Sequence, residues 1–121
     1  MPADIITTLT ELSGTLVVDP DANATVEPNV ATGASTLYQV RVDNTANTGS
    51  VYLKIADATS ATVGTTHPDM TFVAPGSKVT SFVIPEGHAF LTGISFWCTS
   101  GPLSSSTSGP ANDVIVHVNC T

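Results

Sequence analysis

Imidazole nitrogens are common ligands of zinc, nickel and copper, so His67, His88 and His117 are the first residues of this sequence that chemistry would recruit. Their settings do not converge. His67 precedes Pro68 and Asp69 in a loop, His88 follows a turn, and His117 falls on the polar face of a terminal strand; they read as three separate surface or edge histidines. Asp19-Pro20-Asp21-Ala22-Asn23 starts like the calcium loop of an EF-hand, in which alternating oxygens surround one ion. Ala24 then occupies the position that needs a glycine and Val30 the one that needs a bidentate glutamate, so an acidic turn is the expectation and a weak calcium site at Asp19, Asp21 and Asn23 the alternative. Neither a metal nor a cofactor is expected.

Covalent catalysis needs a Ser, Thr or Cys poised beside a base, and glycoside hydrolysis needs two carboxyls facing each other across a cleft. No serine stands in a Gly-x-Ser-x-Gly elbow, and no glycine-rich phosphate loop follows a strand, Val63-Gly64-Thr65-Thr66 being only a turn. Asp43, Asp57, Asp69, Glu86 and Asp113 fall at strand ends or in turns, where an aspartate usually caps or solvates the backbone. No catalytic residue is assigned. Cys98 and Cys120 show neither a Cys-x-x-Cys nor a zinc spacing and read as two small thiols, with pairing open only if their strands are neighbours. Asn23-Ala24-Thr25 and Asn119-Cys120-Thr121 match the glycosylation sequon, as a Thr-rich chain does by chance. Phe96 and Trp97 adjoin on one strand, so one ring faces the core and its neighbour the other face. An exposed Trp97 would offer a stacking platform for a sugar; core packing is the expectation.

The elements that must position these residues are strands. Tyr38, Val40 and Val42 alternate with Gln39 and Arg41, and Val51, Leu53 and Ile55 with Tyr52, Lys54 and Ala56, which predicts two paired antiparallel strands around the polar loop 43–49. Further strands are expected at Thr15 to Val18, around Met70 to Val73, at Lys78 to Ile84, at Ala89 to Cys98 with a weakening Gly93, and at Val114 to Val118. Turns are expected at Ala74-Pro75-Gly76-Ser77 and at Pro85-Glu86-Gly87, and a long exposed loop at Gly101 to Pro110. Seven or eight short strands at this spacing predict an all-β protein: a single antiparallel β-sandwich over 15–121, with connections compatible with a jelly roll. In the remaining segment, 1–14, Ile5, Ile6, Leu9 and Leu12 have helical spacing, but three threonines lower its helix propensity. It reads as an extended or single-turn N-terminal arm.

A chain of 121 residues fits one domain with one core. Ser and Thr make up about a quarter of it, and charged residues only 11%. The net charge of -7 sets ten carboxylates against Arg41, Lys54 and Lys78, too few cations to neutralise several phosphates. Nucleic acid is not expected as a partner, and an anionic membrane surface is disfavoured by the same arithmetic. No window has the 18 or more apolar residues of a membrane span, and Met1-Pro2-Ala3-Asp4 lacks the basic and apolar regions of a signal peptide. A protein made and kept in a cytoplasm, or released from it by lysis, is the expectation.

From Ser50 onward the order of features is more specific than any single motif. It runs Val51-Tyr52-Leu53-Lys54-Ile55-Ala56-Asp57, Val63-Gly64-Thr65-Thr66-His67-Pro68-Asp69, an apolar strand and Val73-Ala74-Pro75-Gly76-Ser77. Ile84-Pro85-Glu86-Gly87-His88-Ala89-Phe90, Thr92-Gly93-Ile94-Ser95-Phe96, a Thr/Ser-rich loop and a closing valine strand follow. Over about residues 50 to 119 this resembles a group of small β-sandwich proteins encoded among the virion structural genes of tailed bacteriophages, including marine and cyanobacterial phages. The resemblance implies a non-enzymatic capsid decoration (cement) protein, assembled in the host cytoplasm onto the outer head surface, with the major capsid protein as its partner. The alternative is a carbohydrate- or receptor-binding module of a tail fibre or baseplate, with Trp97 and the Ser/Thr loop as its support.

One small sandwich presents little area alone, so a homo-oligomer is expected, a trimer first and a dimer next. Four large aliphatics in one segment of poor regular-structure propensity should be covered by something. Ile5, Ile6, Leu9 and Leu12 are therefore the candidate contact residues, either completing this chain's own sheet or reaching a neighbouring subunit or the capsid.

Overall fold

The computed structural model describes residues 4–7 and 14–121. These form β1 (Asp4–Thr7), β2 (Thr15–Ala22), β3 (Ser35–Asp43), β4 (Val51–Asp57), β5 (Met70–Ala74), β6 (Val79–Phe90), β7 (Ile94–Thr99) and β8 (Val114–Cys120), with no helix among them. Every pairing is antiparallel. One sheet has the order β1-β2-β8-β3-β6 and the other β5-β4-β7, and the two pack face to face as a β-sandwich.

Alternation explains the core. Val17, Leu37, Val40, Val42, Val116 and Val118 point inward from the larger sheet and meet Leu53, Ile55, Ile94 and Phe96 from the smaller. Each such side chain taken fully out of water contributes about 1.5–3 kcal/mol. Cys98 and Cys120 lie in this cluster from opposite sheets.

Three expectations are corrected. The strands around loop 43–49 are not partners: β3 pairs with β6 and β8, whereas β4 pairs with β5 and β7. Both have one inward apolar face, so alternation cannot distinguish a hairpin from a crossing between sheets. Asn44 makes the crossing, its buried amide donating to the carbonyls of Gly49 (3.0 Å) and Ala74 (3.0 Å). The second correction concerns Pro85-Glu86-Gly87, which is a bulge inside β6 and not a turn between strands. The ladder runs Leu37↔His88 and resumes at Gln39↔Val83, with Gly87 at φ 76°. The chain leaves the sheet later, at Leu91 to Gly93, whose amides all donate to the Asp57 carboxylate. Hence the expected strand Ala89 to Cys98 is two strands in different sheets. Third, Asp19-Pro20-Asp21 continues β2 as extended chain instead of turning.

The edges are managed unequally. The free edge of β7 is backed by residues 23–30, through Glu27 N to Phe96 O (2.8 Å), Phe96 N to Glu27 O (3.1 Å), Cys98 N to Asn23 O (2.8 Å) and Val30 N to Ile94 O (2.9 Å). The free edge of β6 instead carries the bulge, a proline and the charges of Lys78 and Glu86, devices that discourage strand addition.

The two outer faces also differ. On the smaller sheet Lys54 and Trp97, cross-strand partners, are both 0% exposed. The loop 100–110 reaches Lys54, whose ammonium donates to the Leu103 carbonyl. Thr107 of this loop lies so close to Gly64 (φ 86°) that a side chain there would collide with it. Burial holds the Lys54 amine below its usual value. On the larger sheet the outer face has no such cover among the described residues.

Candidate functional site

Register builds the site. Gln39 on β3 lies opposite Asn119 on β8, and Arg41 opposite His117. On the other side of β8, Leu16 lies opposite Asn119 and Val18 opposite His117. The β-bulge at Leu37/Gln39 resets the alternation, so Gln39, Arg41 and Asp43 face outward while Val40 and Val42 remain inside. The result is a polar stripe along the middle of the five-stranded face, flanked by the aliphatics Leu16 and Val18 on β2 and Val79 and Val83 on β6. Leu16, Gln39, Arg41, His117 and Asn119 line a shallow hollow of about 90 Å³.

These four polar side chains make no hydrogen bond or ion pair among the described residues, although each is half-buried. Arg41 therefore presents five donors, and Gln39 and Asn119 an amide each, toward whatever meets the face. His117 is held below its ordinary value, by burial first and then by Arg41, against a smaller opposing effect of Asp43. The lowering favours its neutral form. Asp43 is held below the usual carboxylate value chiefly by the hydroxyl and amide of Thr45, which donate to its Oδ1 (2.6 and 3.1 Å). The chain's three cations are thus unevenly placed: Lys54 is buried and bonded to a loop, while Arg41 and Lys78 lie on or beside this face. Such a surface can dock a partially charged, partially apolar protein surface; it holds no nucleophile–base pair.

The expected contact residues are placed only in part. Ile5 lies opposite Val17 and Ile6 opposite Leu16 in the β1–β2 ladder, so residues 4–7 extend the chain's own sheet. Leu9 and Leu12 lie outside the described residues. His67 sits in a loop, His88 packs edge-on against Phe90 with ring centroids 5.2 Å apart, and His117 joins the polar stripe. Among the described residues no three His, Cys, Asp or Glu side chains are placed to hold a metal ion. Asp57 caps Leu91 to Gly93, Asp69 accepts the Asp57 amide (2.6 Å) and Asp43 the Thr45 amide, so three of the turn acids do cap backbone. Phe96 enters the core and Trp97 the opposite face, where burial denies its ring to any sugar. The stripe itself was half visible in sequence, as the polar alternates Gln39, Arg41 and His117; the missing information was which strands are neighbours.

Asp19 is the unexpected group. It is 1% exposed, on the inner side of β2, with the amide of Asp21 donating to its Oδ1 (3.2 Å). Burial, reinforced by Glu27 and Asp21, pushes its carboxyl up to about 7.

Both cysteines are free and 0% exposed, and burial pushes both thiols above their usual value. Thiolate is the reactive form, so a thiol-exchange reagent at pH 8 is expected to titrate neither group in the folded protein and two per chain in denaturant. A fast-reacting thiol in the native state would contradict this burial.

Comparison with protein-family models, with curated proteins and with solved structures returned no match. No described helix is long and apolar enough to cross a membrane.

Proposed function

We propose that this protein is a non-enzymatic virion structural protein, a capsid decoration protein bound to the outer head surface, where it stabilises contacts between capsomers of the major capsid protein. The observation that carries the reading is the one-sidedness of the sandwich. The smaller sheet buries Lys54 and Trp97 on its outer face and leaves Thr71 and Val73 of β5 exposed at one side, while the larger presents a broad five-stranded face of aliphatics and of amides and Arg41 that have no partner among the described residues, the composition of a docking surface. The order of features over residues 50 to 119 supports the same reading. So does topology: with residues 23–30 counted as a strand beside β7, the sheets run β2-β8-β3-β6 and (23–30)-β7-β4-β5, the alternation between sheets of a jelly roll, a fold recurrent in viral capsid proteins. Self-association belongs to this proposal.

Electron microscopy of purified particles tests it. The expected result is density for the sandwich between capsomers on the head, and heads lacking the protein that lose their genome at lower temperature and regain resistance when it is added back. Density confined to the tail tip would overturn the reading in favour of a receptor-binding module.

A further inference from the structure

We propose that two copies of this chain dock face to face through the outer surface of the five-stranded sheet, across a two-fold axis crossing β3 at Val42, with Arg41 of each copy paired to Asp43 of the other. The inference names the surface for the self-association included in the proposed function, and it rests on the sheet face and not on a place in a virion.

Charge complementarity selects the occupant. Arg41 and Asp43 are two residues apart on one strand, about 6.8 Å along the face, and make no ion pair with each other. Arg41 has no acceptor among the described residues. The Asp43 Oδ1 is taken by Thr45, and its Oδ2 is open. A two-fold axis between them in the plane of contact lays each β3 antiparallel over its copy, which puts every guanidinium over the other copy's free carboxylate oxygen. The same surface meeting itself is the isologous contact of a closed dimer. The rows carrying the charges fit as well. The Arg41 row holds His117 and Ser81, and the Asp43 row holds Ile115 and Val79, so each copy sets aliphatics over an imidazole and a hydroxyl, with no like charges in register.

Other surfaces carry less. The β6 edge is blunted by its bulge and Pro85. The hollow of about 160 Å³ at the loop end, lined by residues including Asn47 and Ser100, has its asparagine already committed to Asn44 and Asn112. The five-stranded face is about 24 Å wide at strand spacing and about 20 Å long over its outward rows. That is about 500 Å² per copy and about 1,000 Å² in all, below the range of stable interfaces and within that of transient ones, and predicts a dimer that dissociates on dilution.

The experiment mixes charge-reversed partners. In analytical ultracentrifugation of the full chain at high micromolar concentration, the wild type is expected to sediment as a dimer. Arg41→Asp and Asp43→Arg each place like charges at both crossing points and weaken association by about tenfold or more. An equimolar mixture of the two variants restores the dimer, because the carboxylates at positions 41 and 43 of one variant then face the guanidiniums at positions 43 and 41 of the other. Unchanged circular dichroism of each variant shows that folding is intact; were Asp43→Arg to lose the Thr45 cap and unfold, Arg41→Lys, which leaves that cap in place and keeps the charge, is expected to sediment as the wild type where Arg41→Asp does not. A monomeric wild type, a trimer, an oligomer indifferent to Arg41→Asp, or a mixture that stays monomeric overturns the proposal. Each of these outcomes leaves attachment to capsids to be judged by microscopy, so the two readings fail separately.

Discussion

Replacing Asn44 by alanine is expected to lower the unfolding free energy by about 3 kcal/mol, equivalent to a fall in Tm of about 12 °C for a domain of this size. Asn44 is 0% exposed. Its amide nitrogen donates to Gly49, Ala74 and, more weakly, Pro75 (3.3 Å), and its Oδ1 accepts from the Asn47 amide (2.8 Å). Asn47 in turn donates to the Asn112 carbonyl and accepts from the Asn112 amide, both at 2.8 Å. One side chain thus satisfies carbonyls from two loops and orients the group that holds a third. Alanine leaves those buried acceptors without donors, and no water-filled replacement has the same geometry. Asn44→Asp should be at least as damaging, because a carboxylate turned toward carbonyl oxygens cannot donate. The neighbouring exposed Thr48→Ala, measured by the same thermal unfolding, is expected to change stability by less than about 0.5 kcal/mol. Comparable small losses for Asn44→Ala and Thr48→Ala would mean that the loops hold together without the asparagine network.

The second large effect is one of pH. Asp19 ionises near 3.8 when unfolded and at about 7 when folded, because burial penalises its charge. The folded state therefore holds the proton more tightly. The corresponding stability is fully present below about pH 4, drains away as pH rises toward 7, and is gone above it, a difference of about 2–4 kcal/mol. Asp19→Asn keeps the acceptor for the Asp21 amide and removes the titration. The variant is expected to exceed the wild type by about 2 kcal/mol or more at pH 8 and to match it near pH 4. Taking this difference between the two proteins isolates Asp19 from Asp43 and Asp57, whose lowered values act in the opposite sense, losing stability as pH falls. Parallel pH profiles for the two proteins would show that Asp19 is solvated after all.

Strand identity was legible in this sequence and strand partnership was not. The alternation at Tyr38 to Val42, Val51 to Ala56 and Val114 to Val118 reports only that one face is apolar, and each of these segments is a strand with its aliphatics inward, whereas Tyr38 is turned outward and exposed because the bulge at Leu37/Gln39 shifts the alternation. Whether β3 folds back on β4 or crosses to the other sheet depends on Asn44 reaching Ala74, a contact thirty residues away that no local pattern encodes. Pro85 and Gly87 carry turn chemistry, yet the same chemistry serves a bulge when the partner strand continues, as Leu37 and Thr36 do opposite His88 and Ala89. The candidate site suffers from the same blindness. Gln39, Arg41 and His117 are visible as polar alternates, but they become one surface only because β8, the last strand, inserts between β2 and β3.

The cover over the smaller sheet has an optical consequence. Trp97 is the chain's one tryptophan, and it lies outside the interior formed between the sheets, beside its cross-strand partner Lys54, which anchors the loop 100–110, with its indole N–H buried and without a partner among the described residues. Its fluorescence therefore senses the lid and not the interior. A loss of its blue-shifted emission records that loop lifting away, an event that can precede collapse of the sandwich, so emission and far-ultraviolet dichroism read two different openings of the same molecule.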